Sequence, residues 1–367
     1  MIFNIPDLID KLYSTNSLQY DELFYLFKNI DNNRNDLTTF DNLTNRDYLY
    51  SLACNTRDKY YGNKVFLRGL IEISNYCKND CYYCGIRCSN RNVERYRLTK
   101  DEILQCCEIG YEIGYKTFVL QGGEDIYFND DRMCDIISSI KNKFEDCALT
   151  LSLGEKSYDT YKKYYLSGAD RYLLRHETSS QSHYNKLHPP NLSLSFRKDC
   201  LKNLKDIGFQ IGAGFMVDSP FQSDKDIVND LLYLKDLNPH MAGIGPFIPH
   251  HDTIFKDYNH GDLNKTLLIL ALTRLLLPTV LLPATTALAS IDSNGRNMGL
   301  MAGCNVIMPN LSPCELRDKY SLYDNKLSSG CEAYEYHSKL EKTINDLGLI
   351  VDYSRGDNIN WRSITCL

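Results

Sequence analysis

Cys77, Cys81 and Cys84 are separated by three and then two residues in the run Cys77-Lys78-Asn79-Asp80-Cys81-Tyr82-Tyr83-Cys84. Three thiolates on one short loop can hold three corners of a cubane 4Fe-4S cluster and leave its fourth iron open. An open, redox-active iron can chelate a small molecule through an amino and a carboxylate group and pass one electron into it. Two competing readings use the same residues: a zinc site completed by Cys88 or a distant ligand, and plain free thiols. Zinc loops more often pair cysteines two residues apart.

Other residues could line such a site. Gln121-Gly122-Gly123-Glu124-Asp125 has two adjacent glycines that let the backbone approach a ligand closely. Alone it reads as a turn; opposite a three-cysteine loop it can cradle an ammonium group. In Arg171 to Glu177, residues two apart on a strand face one side, so Arg171, Arg175 and Glu177 share a face, with Tyr172 and Leu174 on the other. By the same alternation Arg68, Leu70, Glu72 and Ser74 share a face, as do Thr150 and Ser152. Unpaired buried charge is costly, so Arg68 either pairs with Glu72 or another carboxylate as scaffold, or helps form a polar cavity for an anion. Arginines on two strands and hydroxyls on a third favour the cavity, and Thr285 and Thr286 would extend its wall.

Positioning these side chains requires strands that end on one face. Strand-like runs at residues 65–74, 117–121, 148–153, 171–176, 210–217, 242–247, 281–286 and 306–308 alternate with helical runs. One helix opens on the capping box Thr99 to Glu102. Eight such units predict a parallel (β/α)8 TIM barrel, whose chemistry sits at the C-terminal ends of its strands. Residues 1–60 read as an N-terminal helical extension, with Asn-rich turns near Asp31 to Asn35. The barrel takes 61–327, and 328–367 form a C-terminal helical cap.

Composition fits a large soluble enzyme. The chain has 367 residues, 43% hydrophobic, with a net charge of −6, so it shows no basic footprint for nucleic acid or an anionic membrane. Fourteen cysteines in a chain this long are not a disulfide scaffold, and no secretory signal precedes them. A reducing, cytoplasmic location is expected. The apolar stretch Leu267 to Leu277, interrupted by Thr273 and Arg274, is too short to span a bilayer. Cys106, Cys107, Cys134, Cys147 and Cys200 read as core thiols. Parity turns His176 outward, and His250 and His251 fall on a loop after strand six.

From Arg68 to Tyr323 the chain resembles the HydE family of radical S-adenosylmethionine (SAM) enzymes, which help build the di-iron site of FeFe-hydrogenase. The resemblance is carried by LQGGED (120–125), TLSLGE (150–155), ADRYLLRHET (169–178), GIGPFIPH (243–250), PATTA (283–287) and NVIMPN (305–310). It implies one 4Fe-4S cluster on Cys77, Cys81 and Cys84. It also implies a SAM site drawn from Gln121, Gly122, Gly123, Glu124, Arg175, Glu177 and Arg197, with Arg197 at the SAM carboxylate. The substrate would be a small anionic iron carbonyl–cyanide–cysteine complex, in a cavity lined by Arg68, Thr150, Ser152, Arg171, Thr285, Thr286, Met308 and Tyr320. Companion maturases and an electron donor such as ferredoxin or flavodoxin are the implied partners. The second, C-terminal cluster of some family members is not expected, because only Cys331 precedes Cys366 in that region. Alternatives are a methylornithine-synthase-like or biotin-synthase-like radical SAM enzyme and, in another class, a non-catalytic iron–sulfur carrier. A carrier has no need of Glu124, Glu177 and Arg197.

Overall fold

The computed structural model describes residues 3–31, 44–327 and 333–361. Its centre is a parallel barrel. The first strand, Lys64–Leu67 continued by Gly69–Ser74, pairs with Thr117–Gly122, which is followed in turn by Ala148–Ser152, Arg171–Leu173, Gln210–Ala213 and Met241–Ala242. Single bridges carry the ring onward from Met241 to Leu281 and from Pro283 to Val306. Val306–Ile307 then pairs with Phe66 and Leu67, so eight strands close on themselves as expected.

The strands near the closure are short for identifiable reasons. Pro283 and Pro246 lack the N–H that a ladder needs. Gly214, at φ +148°, interrupts the fifth strand before pairing resumes at Met216–Val217; a Cβ there would overlap the Gly243 carbonyl. Strand seven was expected to run through Thr286. Instead Thr285 takes the N-cap position, at φ −69° and ψ 158°, of a short helix, Thr286–Ile291.

Helices cover the outside, and their caps are legible in the sequence. Thr99 accepts from Glu102 N–H and Ser223 from Asp226 N–H, each in a reciprocal capping box. Leu263–Leu276 is buried almost all round because the N-terminal helix Asn45–Tyr61 packs over its outer side. The expected helical tail is corrected. After helix Ala333–Asp346 the chain forms a strand, Ile350–Asp352, parallel to Lys64–Phe66, then crosses the N-terminal end of the barrel. There Asp357 accepts from Arg171 and Gln210, Asn358 Nδ2 donates to His240 O and Thr279 O, and Trp361 Nε1 donates to Gly208 O. Cys331, Cys366 and most of the Asn-rich turn lie outside the described residues. The twelve described cysteines are free, and no described helix is long and apolar enough to cross a membrane.

Candidate active site

A cavity of about 360 Å³ opens at the C-terminal ends of the strands. Cys77, Cys81 and Cys84 line it from the loop after strand one. Arg95 holds that loop by donating to the carbonyls of Asn75, Ile86, Arg87 and Asn90. Backbone crowding explains the glycines. A Cβ on Gly123 would overlap Tyr76 O and press on Cys77, while Gly154, at φ +73°, lies against the Glu124 carboxylate. Cys77 Sγ accepts from Asn79 N–H and Glu124 N–H, each at 3.4 Å.

The three sulfurs are not gathered as tightly as the ligands of one ion. Among the described residues, the His/Cys/carboxylate group with ligand atoms within 4.8 Å of one another is His250, His251 and Asp324, not the cysteines. Thiolates at the corners of a cubane stand further apart than ligands of a single zinc. Burial pushes all three thiols up, Cys84 to about 12, so thiolates here would need a bound cation to offset their desolvation. The His250 group is itself a poor metal site. Asp252 N–H donates to His250 Nδ1 at 3.1 Å, which leaves the proton on Nε2, the atom that faces Asp324. Neither histidine lines the cavity.

Beside the cysteines the cavity wall is charged. Glu124 Oε1 accepts from Glu155 N–H at 2.9 Å, and its Oε2 lies 3.1 Å from Lys78 Nζ. Arg175 and Glu177, just beyond the strand Arg171–Leu173, both line the cavity and pair at 2.9 Å. Arg197 reaches in from helix Leu194–Ile207, bonded to Glu155 and to Arg175 O. Arg175 Nε and Thr285 Oγ1 are buried with no hydrogen-bond partner among the described residues, so both are available to a ligand. Gln121, Gly122, Thr285, Thr286, Met308 and Tyr320 complete the wall.

Four expected cavity residues sit elsewhere. Arg68, Thr150 and Arg171 border a separate void of about 10 Å³ lower in the barrel, and Ser152 lines neither space. Arg171 is an internal ion pair, bonded to Asp357 at 2.6 Å, Arg355 O at 2.6 Å and Thr117 Oγ1 at 3.1 Å. Arg68 does not pair with Glu72; it contacts Met241 Sδ and Gly356 O. The sequence carries no sign of the tail that would occupy these arginines. It also gave no sign of Lys326, whose Nζ reaches the cavity and pairs with the buried Glu72, while Asn310 bonds the other Glu72 oxygen at 3.0 Å. Tyr83, inside the cysteine loop, lines the cavity too; its place between Cys81 and Cys84 was the available signal.

Comparison with known proteins agrees with this geometry. Residues 71–234 match the Radical SAM superfamily. The chain is 47% identical over 279 residues to the [FeFe] hydrogenase maturase subunit HydE of Thermotoga maritima, covering 76% of this chain and 79% of that protein. It is 30% identical over 283 residues to 3-methylornithine synthase of Methanosarcina acetivorans, with 76% and 79% covered. In fold it is similar to methylornithine synthase PylB, with a TM-score of 0.78, 24% identity and 94% and 97% of the two chains covered. It is also similar to the maturase HydG, with a TM-score of 0.75, 20% identity and 95% and 76% covered.

Proposed function

Because the chain belongs to the HydE family of radical SAM enzymes, we propose that it binds one 4Fe-4S cluster and SAM and acts on an iron carbonyl–cyanide–cysteine precursor of the FeFe-hydrogenase di-iron site. The observation that carries this reading is a single cavity. Cys77, Cys81 and Cys84 open onto it together with Glu124, Glu177 and Arg197, and so do Thr285, Thr286, Met308 and Tyr320. A cluster held by Cys77, Cys81 and Cys84 would supply the one electron needed to cleave SAM reductively to methionine and a 5′-deoxyadenosyl radical.

The chain's own residues hold and orient. Gly123 and Glu124 take the SAM amino group, Glu177 the ribose or amino side, and Arg197 the carboxylate, with Gln121, Gly122 and Arg175 completing the contact. Thr285, Thr286 and Tyr320 offer hydroxyl groups to the substrate, and Met308 packs against it. Arg68 and Arg171 are left out of this set because the tail already engages them. Companion maturases, a low-potential electron donor and a reducing cytoplasm complete the reading. It is tested by anaerobic reconstitution followed by two assays: reductive SAM cleavage, and hydrogenase activation with the other maturases present. Cleavage with activation is the expected result. Lysine-dependent turnover without activation would move the assignment toward the 3-methylornithine synthases, to which the chain is 30% identical.

A further inference from the structure

Glu177 lines the cavity in a conformation that side chains seldom adopt, at φ +65°. A non-glycine residue held there is strained and persists only where its surroundings over-determine it. The determining groups lie behind the barrel wall. Glu177 N–H donates to Gly214 O at 3.1 Å, and Gly214 N–H donates to His176 Nδ1 at 3.3 Å, so Gly214 bonds two successive residues. Because Nδ1 accepts, the imidazole proton sits on Nε2. That nitrogen faces Asp230 Oδ1 at 3.6 Å. The same Asp230 oxygen accepts from Ser179 N–H. His176 and Asp230 are both fully buried, with Tyr233 edge-on to the ring at 4.8 Å.

We infer that His176 and Asp230 are positioning residues, a buried pair on the outer side of strand four that fixes the strained turn 176–179 and so aims the Glu177 carboxylate at its ligand. The inference rests on the proposed role of Glu177 in SAM binding. Two features argue against simple core packing. A buried carboxylate with one oxygen unpartnered is costly, and an apolar side chain would fill the site more cheaply. The pair's bonds also flank Glu177 on both sides rather than tying helix Asp224–Leu237 to the strand at random points.

The test uses reconstituted holoenzyme. His176→Phe removes both ring contacts, whereas His176→Asn keeps an acceptor near Nδ1 for Gly214 N–H. His176→Phe should retain its iron and lose on the order of tenfold in SAM affinity, the scale of outer-shell losses. His176→Asn should recover most of that loss. Ile227→Val on the same helix, a plain packing change, should lower the melting temperature and leave SAM affinity unchanged. A crystal structure of His176→Phe should show Glu177 leaving φ near +65°. An unchanged Glu177 there, or an affinity loss no greater than that of Ile227→Val, would overturn the inference. If His176→Phe does not fold, Asp230→Asn takes its place under the same criteria. Unchanged SAM affinity in Glu177→Gln would sink the Glu177 role alone, and the crystal structure would still decide whether His176 positions that residue.

Discussion

Arg171 on the fourth barrel strand meets Asp357 on the tail at 2.6 Å, across 186 residues of sequence, and this pair closes the floor of the barrel. Burial by itself would raise the Asp357 carboxyl. Arg171, then Arg355 and Gln210, outweigh burial and hold it at about 2. Arg171→Leu should therefore destabilise the fold by roughly 2–4 kcal/mol, somewhat less than breaking a fully buried pair because Asp357 keeps some solvent. The sign in pH follows from a folded value below the unfolded one. The pair's contribution is present above about pH 4 and is lost as pH falls toward 2. Thermal melts of wild type and variant between pH 3 and pH 7 should converge toward the acid end. Loss of SAM binding by a variant that remains fully stable would instead return Arg171 to the ligand site.

Cys81→Ala should abolish cluster assembly. Reconstituted wild type should hold about four irons per chain and the variant close to none, because two thiolates cannot retain a cubane. Iron and sulfide analysis with low-temperature EPR measures this. A zinc-loaded protein without SAM cleavage would refute the cluster, and signals from two clusters would contradict the reading of the C-terminal region.

Arg197→Ala should weaken SAM by roughly 1.5–3 kcal/mol, the range of a hydrogen bond to a charged group, with iron content retained. Glu155, which pairs with Arg197, would then be left buried without its cation, and its charge would disfavour a carboxylate ligand nearby, adding to the loss. Equilibrium binding of SAM to the reconstituted variant checks it. An unchanged affinity removes Arg197 from the site.

Lys326→Met should expose a latent acid. Burial pushes the Glu72 carboxyl up, and Lys326 and Asn310 are what favour its ionised form. Without the lysine the Glu72 carboxyl would be pushed further up, so the folded chain would hold that proton more readily than the unfolded one. Stability should then be greatest below the unfolded carboxyl value and fall as pH rises, the reverse of the Arg171 case. A loss of about 3–5 kcal/mol at pH 8, shrinking toward pH 5, is expected from melts across that range.

Gly123→Ala should disable the site while leaving the barrel folded. The added methyl would overlap Tyr76 O and crowd Cys77, so the cysteine loop must shift. Circular dichroism should be unchanged and iron incorporation reduced. Normal iron loading would show that the loop has slack that its geometry does not suggest.

What the sequence determined by itself was periodic and local. Alternation from Arg171 puts Arg175 inward and His176 outward, because successive side chains of an extended chain point to opposite faces, whereas Glu177 reaches the cavity through a turn at φ +65° that alternation does not describe. The capping residues Thr99 and Ser223 mark helix starts through bonds that span only three residues. The cysteine spacing and the family strings are equally local, and both point to one chemistry. Tertiary structure alone decided which inward-facing charges remain available to a ligand. Arg68 and Arg171 look like anion ligands on the strand, yet Gly356 and Asp357, far along the chain, engage them. Lys326, on a loop with no periodicity, becomes the partner of Glu72 from 254 residues away. The reason is physical: a periodic pattern reports which face a residue occupies, whereas the pairing of a buried charge depends on whichever segment the chain later folds against it.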